Sequence, residues 1–246
     1  MAERLHPPDD PSRETEVSIV IPIFDEQSIV RAAVEELSDR LVRMELSFEI
    51  ILAENGSRDA TLRIARELAH RDSSGHVRVV TIDTPNYGAA LRAGIEAARG
   101  TFVVCEEIDL CDTAFLARAL ELLREGDVDL VIGSKLMKSA RDRRPVFRHL
   151  ASLGYSRLLR VILGLRGTDT HGLKAFRRGA LLPIVRSCVV DKDVFASELV
   201  LRAERAAIRM RDIPVSIAEK RPPSIDLVRR VPDVLSRVAR LWWALR

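Results

Sequence analysis

Short apolar runs alternate with amphipathic segments over the first half of the chain. Residues 17–24 (VSIVIPIF) contain no charged side chain, a pattern typical of a strand buried on both faces of a sheet. Five short apolar runs are predicted strands: 17–24, 48–53, 77–82, 101–106 and 129–133. Apolar residues at helical spacing predict four helices between them: 28–46, 59–70, 87–99 and 112–125.

This alternation of strands and helices predicts an α/β fold with a mostly parallel, Rossmann-like sheet and helices on both faces. After Ser134 the alternation stops. A basic loop (135–148), an apolar helix (149–163), a turn-rich stretch (164–172) and a further α/β stretch follow. We therefore expect a flexible arm at 1–15, one domain at 16–224 and a C-terminal helix at 225–246.

The predicted C-terminal helix is amphipathic and basic. Pro232 is expected in its first turn, and Trp243 lies near its end. Arginines lie off the apolar stripe, whose members are Val228, Val231, Leu235, Val238, Trp242 and Leu245. Such a helix suits the surface of an anionic membrane, but the same stripe could pack on its own domain or on a second copy. The sequence leaves both interpretations open.

Composition narrows the classes of protein that this chain can represent. Hydrophobic residues make up 47% of its 246 residues, which excludes an intrinsically disordered chain. The net charge is only +3, so no nucleic-acid partner is expected, although Arg, which suits phosphate, far outnumbers the five Lys. The three cysteines lack zinc-site spacing and no apolar run is long enough to span a bilayer. We expect a cytoplasmic protein with, at most, peripheral contact at the inner face of the cell membrane.

Polar residues gather at the predicted carboxyl ends of the strands, where open parallel sheets bind ligands. They are Asp25 and Glu26 after the first strand, Glu54, Asn55, Gly56 and Ser57 after the second, Asn86 and Gly88 after the third, and Glu106, Glu107 and Asp109 after the fourth. Carboxylates in one crevice repel each other, and a divalent cation relieves that repulsion. The sequence therefore predicts a cation site at this edge of the sheet.

Glu107 and Asp109 are the favoured ligands for that cation. Residues i and i+2 at a strand end point to the same side, so both carboxylates could face one ion. Mg²⁺ commonly takes one or two protein carboxylates together with substrate phosphates. The pair alone is weak evidence, but its position at a strand end strengthens the assignment.

A series of motifs covers residues 17–224 in order. The main segments are VSIVIPIFDEQ (17–27), EIILAENGSRDAT (49–61), NYGAALRAGIEAARG (86–100), CEEIDLCD (105–112), VIGSKLMKS (131–139), FRHLASLG (147–154) and DTHGLKAFRR (169–178). Together they resemble the family 2 glycosyltransferases of the GT-A fold, particularly the polyprenyl-phosphate (dolichyl-phosphate) mannose and glucose synthases. The resemblance implies a GT-A fold and a nucleotide-sugar donor.

The resemblance also implies a donor site. Its residues would be Pro22, Phe24, Glu26, Glu54, Asn55, Gly56, Asn86, Gly88, Glu107, Arg221 and Ser224. The first three would border the nucleoside, Glu54 would approach its base or ribose, and the last two would lie on a loop that closes over the donor. Glu107 and the catalytic Asp109 would hold Mg²⁺ or Mn²⁺ on the diphosphate.

On the acceptor side, the resemblance implies that Lys135, Arg148 and Ser152 hold the phosphate of a polyprenyl phosphate. An acceptor that is already anionic needs positioning rather than a general base. The expected activity is inverting transfer of a hexose from a nucleotide sugar, of the GDP-mannose or UDP-glucose type, to a polyprenyl phosphate.

Two alternatives stay open. One is a glycosyltransferase of the same fold that uses a hydroxyl acceptor. The other is a nucleotide-sugar-binding protein with weakened catalysis, because Glu54, Asn55, Glu107 and Cys111 replace the family's Asp, Asp, Asp and Gln, and Lys135 replaces its Arg. A nucleotidyltransferase is disfavoured, since no Gly-rich phosphate loop follows the first strand.

Overall fold

The computed structural model of the protein describes residues 14–137, 141–142, 146–190, 192–217 and 227–245. Its strands are β1 (Val17–Ile23), β2 (Phe48–Glu54), β3 (Val77–Thr81), β4 (Phe102–Cys105), β5 (Leu130–Ser134), β6 (Arg141–Asp142), β7 (Lys174–Arg177), β8 (Met210–Pro214) and β9 (Ser216–Ile217). Its helices are α1 (Val30–Arg43), α2 (Thr61–Arg71), α3 (Tyr87–Ala97), α4 (Thr113–Glu125), α5 (Val146–Leu163), α6 (Arg178–Ser187), α7 (Phe195–Arg205) and α8 (Leu227–Ala244). A short 3₁₀ turn at Lys192–Val194 precedes α7.

The main sheet has the strand order β3-β2-β1-β4-β7-β5-β8. All pairs are parallel except those of β7, which runs antiparallel to both β4 and β5. The predicted α/β fold with a mostly parallel sheet is therefore confirmed, and the five predicted strands all form. The insertion of β7 between β4 and β5 was not predicted, because four residues that begin and end with a cation do not form an apolar run.

Helices cover both faces of the sheet, which explains why its central strands are apolar throughout. On one face, α1, α2 and α4 pack on alternate residues of β1, such as Ile19 and Ile21. On the other face, α3, α5, α6, α7 and α8 pack against residues such as Val20 and Ile51. All seven residues of β1 and of β2 are buried. This two-sided burial holds the carboxyl ends of the strands in fixed positions.

The C-terminal helix differs from the sequence prediction in one detail. It begins at Leu227 rather than near Pro232, so the proline lies inside the helix. Proline has a helical φ but no N–H, so at this position the helix lacks the backbone hydrogen bond to the Val228 carbonyl. Val238 and Leu241 are buried in the core, whereas Leu235 and Trp243 are 48% and 77% exposed. The helix thus packs on its own domain through part of its apolar surface.

A buried carboxylate links the amino ends of three strands. Glu49 accepts hydrogen bonds from the Ser18 hydroxyl (2.6 Å) and the Arg99 N–H (2.7 Å), and it pairs with Arg78. Replacing Glu49 with Gln leaves the Arg78 guanidinium without its counter-ion. We expect Glu49→Gln to lower the free energy of unfolding by about 1–3 kcal/mol, measured by urea denaturation. The matched variant Glu36→Gln, in an exposed pair with Arg40, should leave stability nearly unchanged.

Candidate active site

The polar residues singled out from the sequence lie at the carboxyl edge of the sheet. β1 lies between β2 and β4, so the chain connections diverge on either side of the β1–β4 pair. Such a switch point opens a crevice in which α/β proteins bind ligands. Pro22 lies in β1, and Phe24 and Glu26 follow it in a partly buried loop. The Glu26 N–H donates to the Thr61 hydroxyl (2.7 Å), which ties this loop to the start of α2.

The turn after β2 is held by its own polar side chains. Glu54 is only 2% exposed, and its carboxylate accepts a hydrogen bond from the Ser57 N–H. The Ser57 hydroxyl in turn accepts from the Asp25 N–H (3.1 Å), and Asp25 accepts from the Arg58 N–H (2.7 Å). Gly56 lies in this turn. The loops after β1 and β2 therefore form one connected wall of the crevice.

Asn86 connects three loops at the start of α3. Its side-chain oxygen accepts from the Ala89 N–H (3.1 Å) as a helix N-cap and also from the Lys192 N–H (2.8 Å). Its own N–H donates to the side-chain oxygen of Asn55, which is 7% exposed. Gly88 is needed here, because a Cβ at this position would lie 2.6 Å from the carbonyl oxygen of Lys192. The predicted residues Asn55, Asn86 and Gly88 thus lie together.

Glu107 and Asp109 lie in the turn after β4, which ends at Cys105, rather than on the end of the strand as the sequence predicted. The Tyr87 hydroxyl donates to the Glu107 carboxylate at 2.7 Å, so the first turn of α3 orients this side chain. Burial raises the pKa of Glu107, and the charge of Asp109 adds to this rise against the opposing hydrogen bond from Tyr87. A neighbouring cation would stabilise the ionised form of a carboxylate in such surroundings.

These two carboxylates fit a divalent ion that is bound jointly with a substrate. In the described part of the chain, no group of three His, Cys, Asp or Glu side chains is arranged to hold a metal. Mg²⁺ commonly takes one or two protein carboxylates together with phosphate oxygens, so Glu107 and Asp109 could supply the protein's share of its ligands. The raised pKa of Glu107 agrees with a site that is stabilised when a cation is present.

Lys135 lies in a buried cluster of charges next to the acidic residues. Its ammonium forms an ion pair with the Asp169 carboxylate (3.3 Å), and both side chains are less than one-tenth exposed. Lys174, the first residue of β7, is 3% exposed and donates to the Gly172 carbonyl oxygen (2.8 Å). The charges of both lysines act to lower the pKa of Glu107. The two lysines are thus close enough to Glu107 for their charges to act on it.

The remaining predicted residues fall into two groups. Ser152 is partly buried on α5, and Arg148 belongs to the same helix, although its side chain lies outside the described residues. Arg221 and Ser224 also lie outside the described residues.

Four contacts were missed from the sequence. Tyr87, Asp169, Lys174 and Ser57 were not assigned roles, although all lie within the quoted motifs. Each acts through a partner 20 or more residues away, and Ser57 also holds its own turn. The sequence did carry one signal for these four residues: they lie in the quoted motifs, close to the motif glycines and carboxylates.

The family model for Glycosyl transferase family 2 matches residues 18–183. The chain belongs to glycosyl transferase family 2. The family resemblance read from the motifs is therefore confirmed.

Relatives within this family include transferases that are named for polyprenyl phosphates. Glycosyltransferase AglD of Haloferax volcanii is 35% identical over 238 residues, which cover 94% of this chain and 37% of the relative. Dodecaprenyl-phosphate galacturonate synthase of Rhizobium johnstonii is 34% identical over 134 residues, covering 53% of this chain and 39% of the relative. Human dolichyl-phosphate beta-glucosyltransferase is 27% identical, with 86% and 69% covered. The chain thus spans about two fifths of the first two of these relatives.

Solved structures support the GT-A fold. Glucosyl-3-phosphoglycerate synthase from Mycobacterium tuberculosis, in complex with Mn²⁺, UDP-glucose and phosphoglyceric acid, superposes with a TM-score of 0.65 at 21% identity. The match covers 93% of this chain and 80% of that structure. Another solved structure, of a mycobacterial protein, gives the same TM-score at 24% identity. No helix in the described part of this chain is both long and apolar enough to cross a membrane.

Proposed function

We propose that the chain transfers a hexose from a nucleotide sugar to a polyprenyl phosphate with inversion at the anomeric carbon. The main support is the juxtaposition of an acidic side, Glu107 and Asp109, with a buried cationic side, Lys135 and Lys174. A nucleotide sugar presents a diphosphate that suits a metal held by carboxylates, and a lipid phosphate suits fixed ammonium groups. Two relatives are named for dolichyl or dodecaprenyl phosphate.

On the donor side, the wall formed by the loops after β1, β2 and β3 would bind the nucleoside. Its backbone is fixed by the hydrogen bonds of Asn55, Asn86 and Glu54, so little ordering is required when the donor binds. Glu107 and Asp109 would hold Mg²⁺ or Mn²⁺. When bound, the ion neutralises the charge that develops on the departing nucleoside diphosphate.

On the acceptor side, Lys135 and Arg148 would hold the lipid phosphate beside the donor. The phosphate oxygen is already a nucleophile, so no side chain has to remove a proton from it. Without cations between them, an anionic acceptor and an anionic donor would repel each other. The protein's contribution is therefore to position the phosphate and to offset this repulsion.

The decisive experiment compares acceptors and donors with the purified chain. Transfer from GDP- and UDP-sugars is measured to polyprenyl phosphate and to the corresponding polyprenol, with and without Mn²⁺. We expect transfer to the phosphate alone. Equal transfer to both acceptors would favour the hydroxyl-acceptor alternative, and donor binding without transfer would favour the binding-protein alternative.

We also propose that α5 and α8 place this acceptor site at an anionic membrane surface. Seven large hydrophobic side chains are exposed among the described residues, and six of them lie on α5, α8 or the loop at 189: Leu153, Val161, Ile162, Val189, Leu235 and Trp243. Arg157, Arg160 and Arg240 are exposed on the same helices. Neither 146–168 nor 234–246 contains an acidic residue. Apolar side chains with Arg and without acids suit the headgroup region of an anionic bilayer.

Vesicle binding tests this membrane surface. Replacing Val161 and Trp243 with Ser should weaken binding to phosphatidylglycerol vesicles about tenfold or more, because two side chains lose their burial in the bilayer. Co-sedimentation at low and high salt provides the measurement. Val42→Ser, an equally simple change on α1, is the matched control and should not alter binding. Unchanged binding by the double variant would contradict this orientation.

A further inference from the structure

The ion pair between Lys135 and Asp169 has an unusual geometry. Its distance of 3.3 Å is longer than the 2.7–2.9 Å that is typical of a charge-assisted hydrogen bond. The Asp169 Oδ2 atom is buried and accepts no hydrogen bond from any described residue. The other oxygen of Asp169 accepts from the His171 N–H (2.9 Å). The carboxylate therefore neutralises the lysine without taking up its N–H donors.

The turn that carries Asp169 is fixed at both of its ends. Gly172 lies so close to β5 that a Cβ would be 1.8 Å from the Gly133 carbonyl oxygen. At the other end, the Thr168 hydroxyl lies 2.8 Å from the Ser134 hydroxyl, and the Thr168 N–H donates to Asp212 (2.9 Å). Asp169 is consequently a rigid group beside a flexible lysine side chain. In such a pair, the aspartate determines where the ammonium lies.

The surrounding charges show why this counter-ion matters. Burial acts to raise the pKa of Asp169, but the charge of Lys135 and the His171 N–H outweigh it and hold the pKa below its usual range. Lys174 lies in the same cluster, and its positive charge opposes that of Lys135. The Cys105 thiol and Glu107 are further acidic groups near Lys174. A buried ammonium beside a second lysine is repelled by that lysine, and the Asp169 carboxylate is the counter-ion that offsets this repulsion.

We propose that Asp169 is a positioning residue for the acceptor: it serves as the counter-ion of the Lys135 ammonium and holds it in place while leaving its N–H groups available to the lipid phosphate. This inference rests on the proposed function. It gives a role to a carboxylate whose ion pair, among the described residues, is with Lys135.

A double-mutant cycle, measured by enzyme kinetics, tests the coupling between Asp169 and Lys135. With the donor saturating, Asp169→Asn should lower kcat/KM for polyprenyl phosphate about tenfold and leave the donor KM nearly unchanged. In a Lys135→Met background, the same change should have no further effect. Asp169→Glu keeps the charge and should recover most of the activity. An equal loss from Asp169→Asn in both backgrounds would show a purely structural role and overturn the proposal.

Two further measurements separate this inference from folding and from the proposed function. Should Asp169→Asn alone fail to fold, the double variant with Lys135→Met should fold and match Lys135→Met in activity; lower activity would overturn the proposal. The second measurement is the NMR signal of the lysine Nζ atoms, which is practical because the chain has only five lysines. Asp169→Asn should shift the Nζ resonance of Lys135 and leave that of the exposed Lys192 in place. An unmoved Lys135 resonance overturns this inference. Absent transfer from the wild type to polyprenyl phosphate would instead refute the proposed function.

Discussion

Asp109→Ala and Glu107→Ala are expected to lower turnover by about a hundredfold or more while the protein remains folded. Both residues follow β4, and the Tyr87 hydroxyl holds Glu107 at 2.7 Å. Loss of one group that stabilises charge on a leaving group typically costs 10²–10³ in rate. A metal that is shared by two carboxylates and a diphosphate should be lost when either carboxylate is removed. The measurement is kcat for sugar transfer at saturating Mn²⁺, alongside thermal melting.

A neighbouring carboxyl group provides the matched control. Glu106 is buried, and its carboxylate accepts from the Asp112 N–H (3.3 Å) at the start of α4. Glu106→Gln keeps this acceptor and should leave turnover within a few-fold of wild type. A chelator should abolish wild-type transfer, and added Mn²⁺ should restore it. Turnover that is insensitive to the chelator would contradict the metal assignment and favour a metal-free mechanism.

Lys135→Met and Arg148→Ala are each expected to impair use of the acceptor by about ten- to a hundredfold. The physical reason is the loss of one charge-assisted hydrogen bond to phosphate, worth roughly 1.5–3 kcal/mol. The change should appear in KM or kcat for polyprenyl phosphate, whereas donor affinity, measured separately by calorimetry, should barely change.

Arg40→Ala controls for a general loss of positive charge. Arg40 lies on α1 and pairs with Glu36 at the protein surface, so its removal should not affect either substrate. An effect of Lys135→Met that is confined to donor binding would place this lysine on the nucleotide side. That result would remove the main support for a phosphate acceptor.

Most of the donor half of the molecule could be predicted from the sequence because its signals are local. Strands β1 and β2 are buried on both faces and therefore appear as continuous apolar runs. The Asn86 N-cap and the αL glycine that ends α4, Gly126, are both recognisable from a few adjacent residues. The ends of these strands then bring Glu54, Asn55 and Glu107 to one edge by topology alone.

The acceptor half was less predictable because its contacts join distant segments. Asp169 gains its importance from the Lys135 ammonium at 3.3 Å, and no periodicity in the chain indicates that proximity. Lys174 is a cation in a central strand, where hydrophobic patterning argues against a strand. The structure stabilises this buried cation with the Gly172 carbonyl and nearby carboxylates, which only tertiary packing can bring together.

The antiparallel strand β7 also has a consequence for synthesis of the protein on the ribosome. In the described sheet, β7 is the strand that joins β1–β4 to β5 and β8. Residues 174–177 supply the strand that pairs with both β4 and β5. Before they emerge, the backbone groups on that side of β4 have no native partner. Such an edge can pair with another chain. Because α6 and α7 follow β7 directly in the sequence, the edge and the apolar face beside it become covered at nearly the same stage of synthesis.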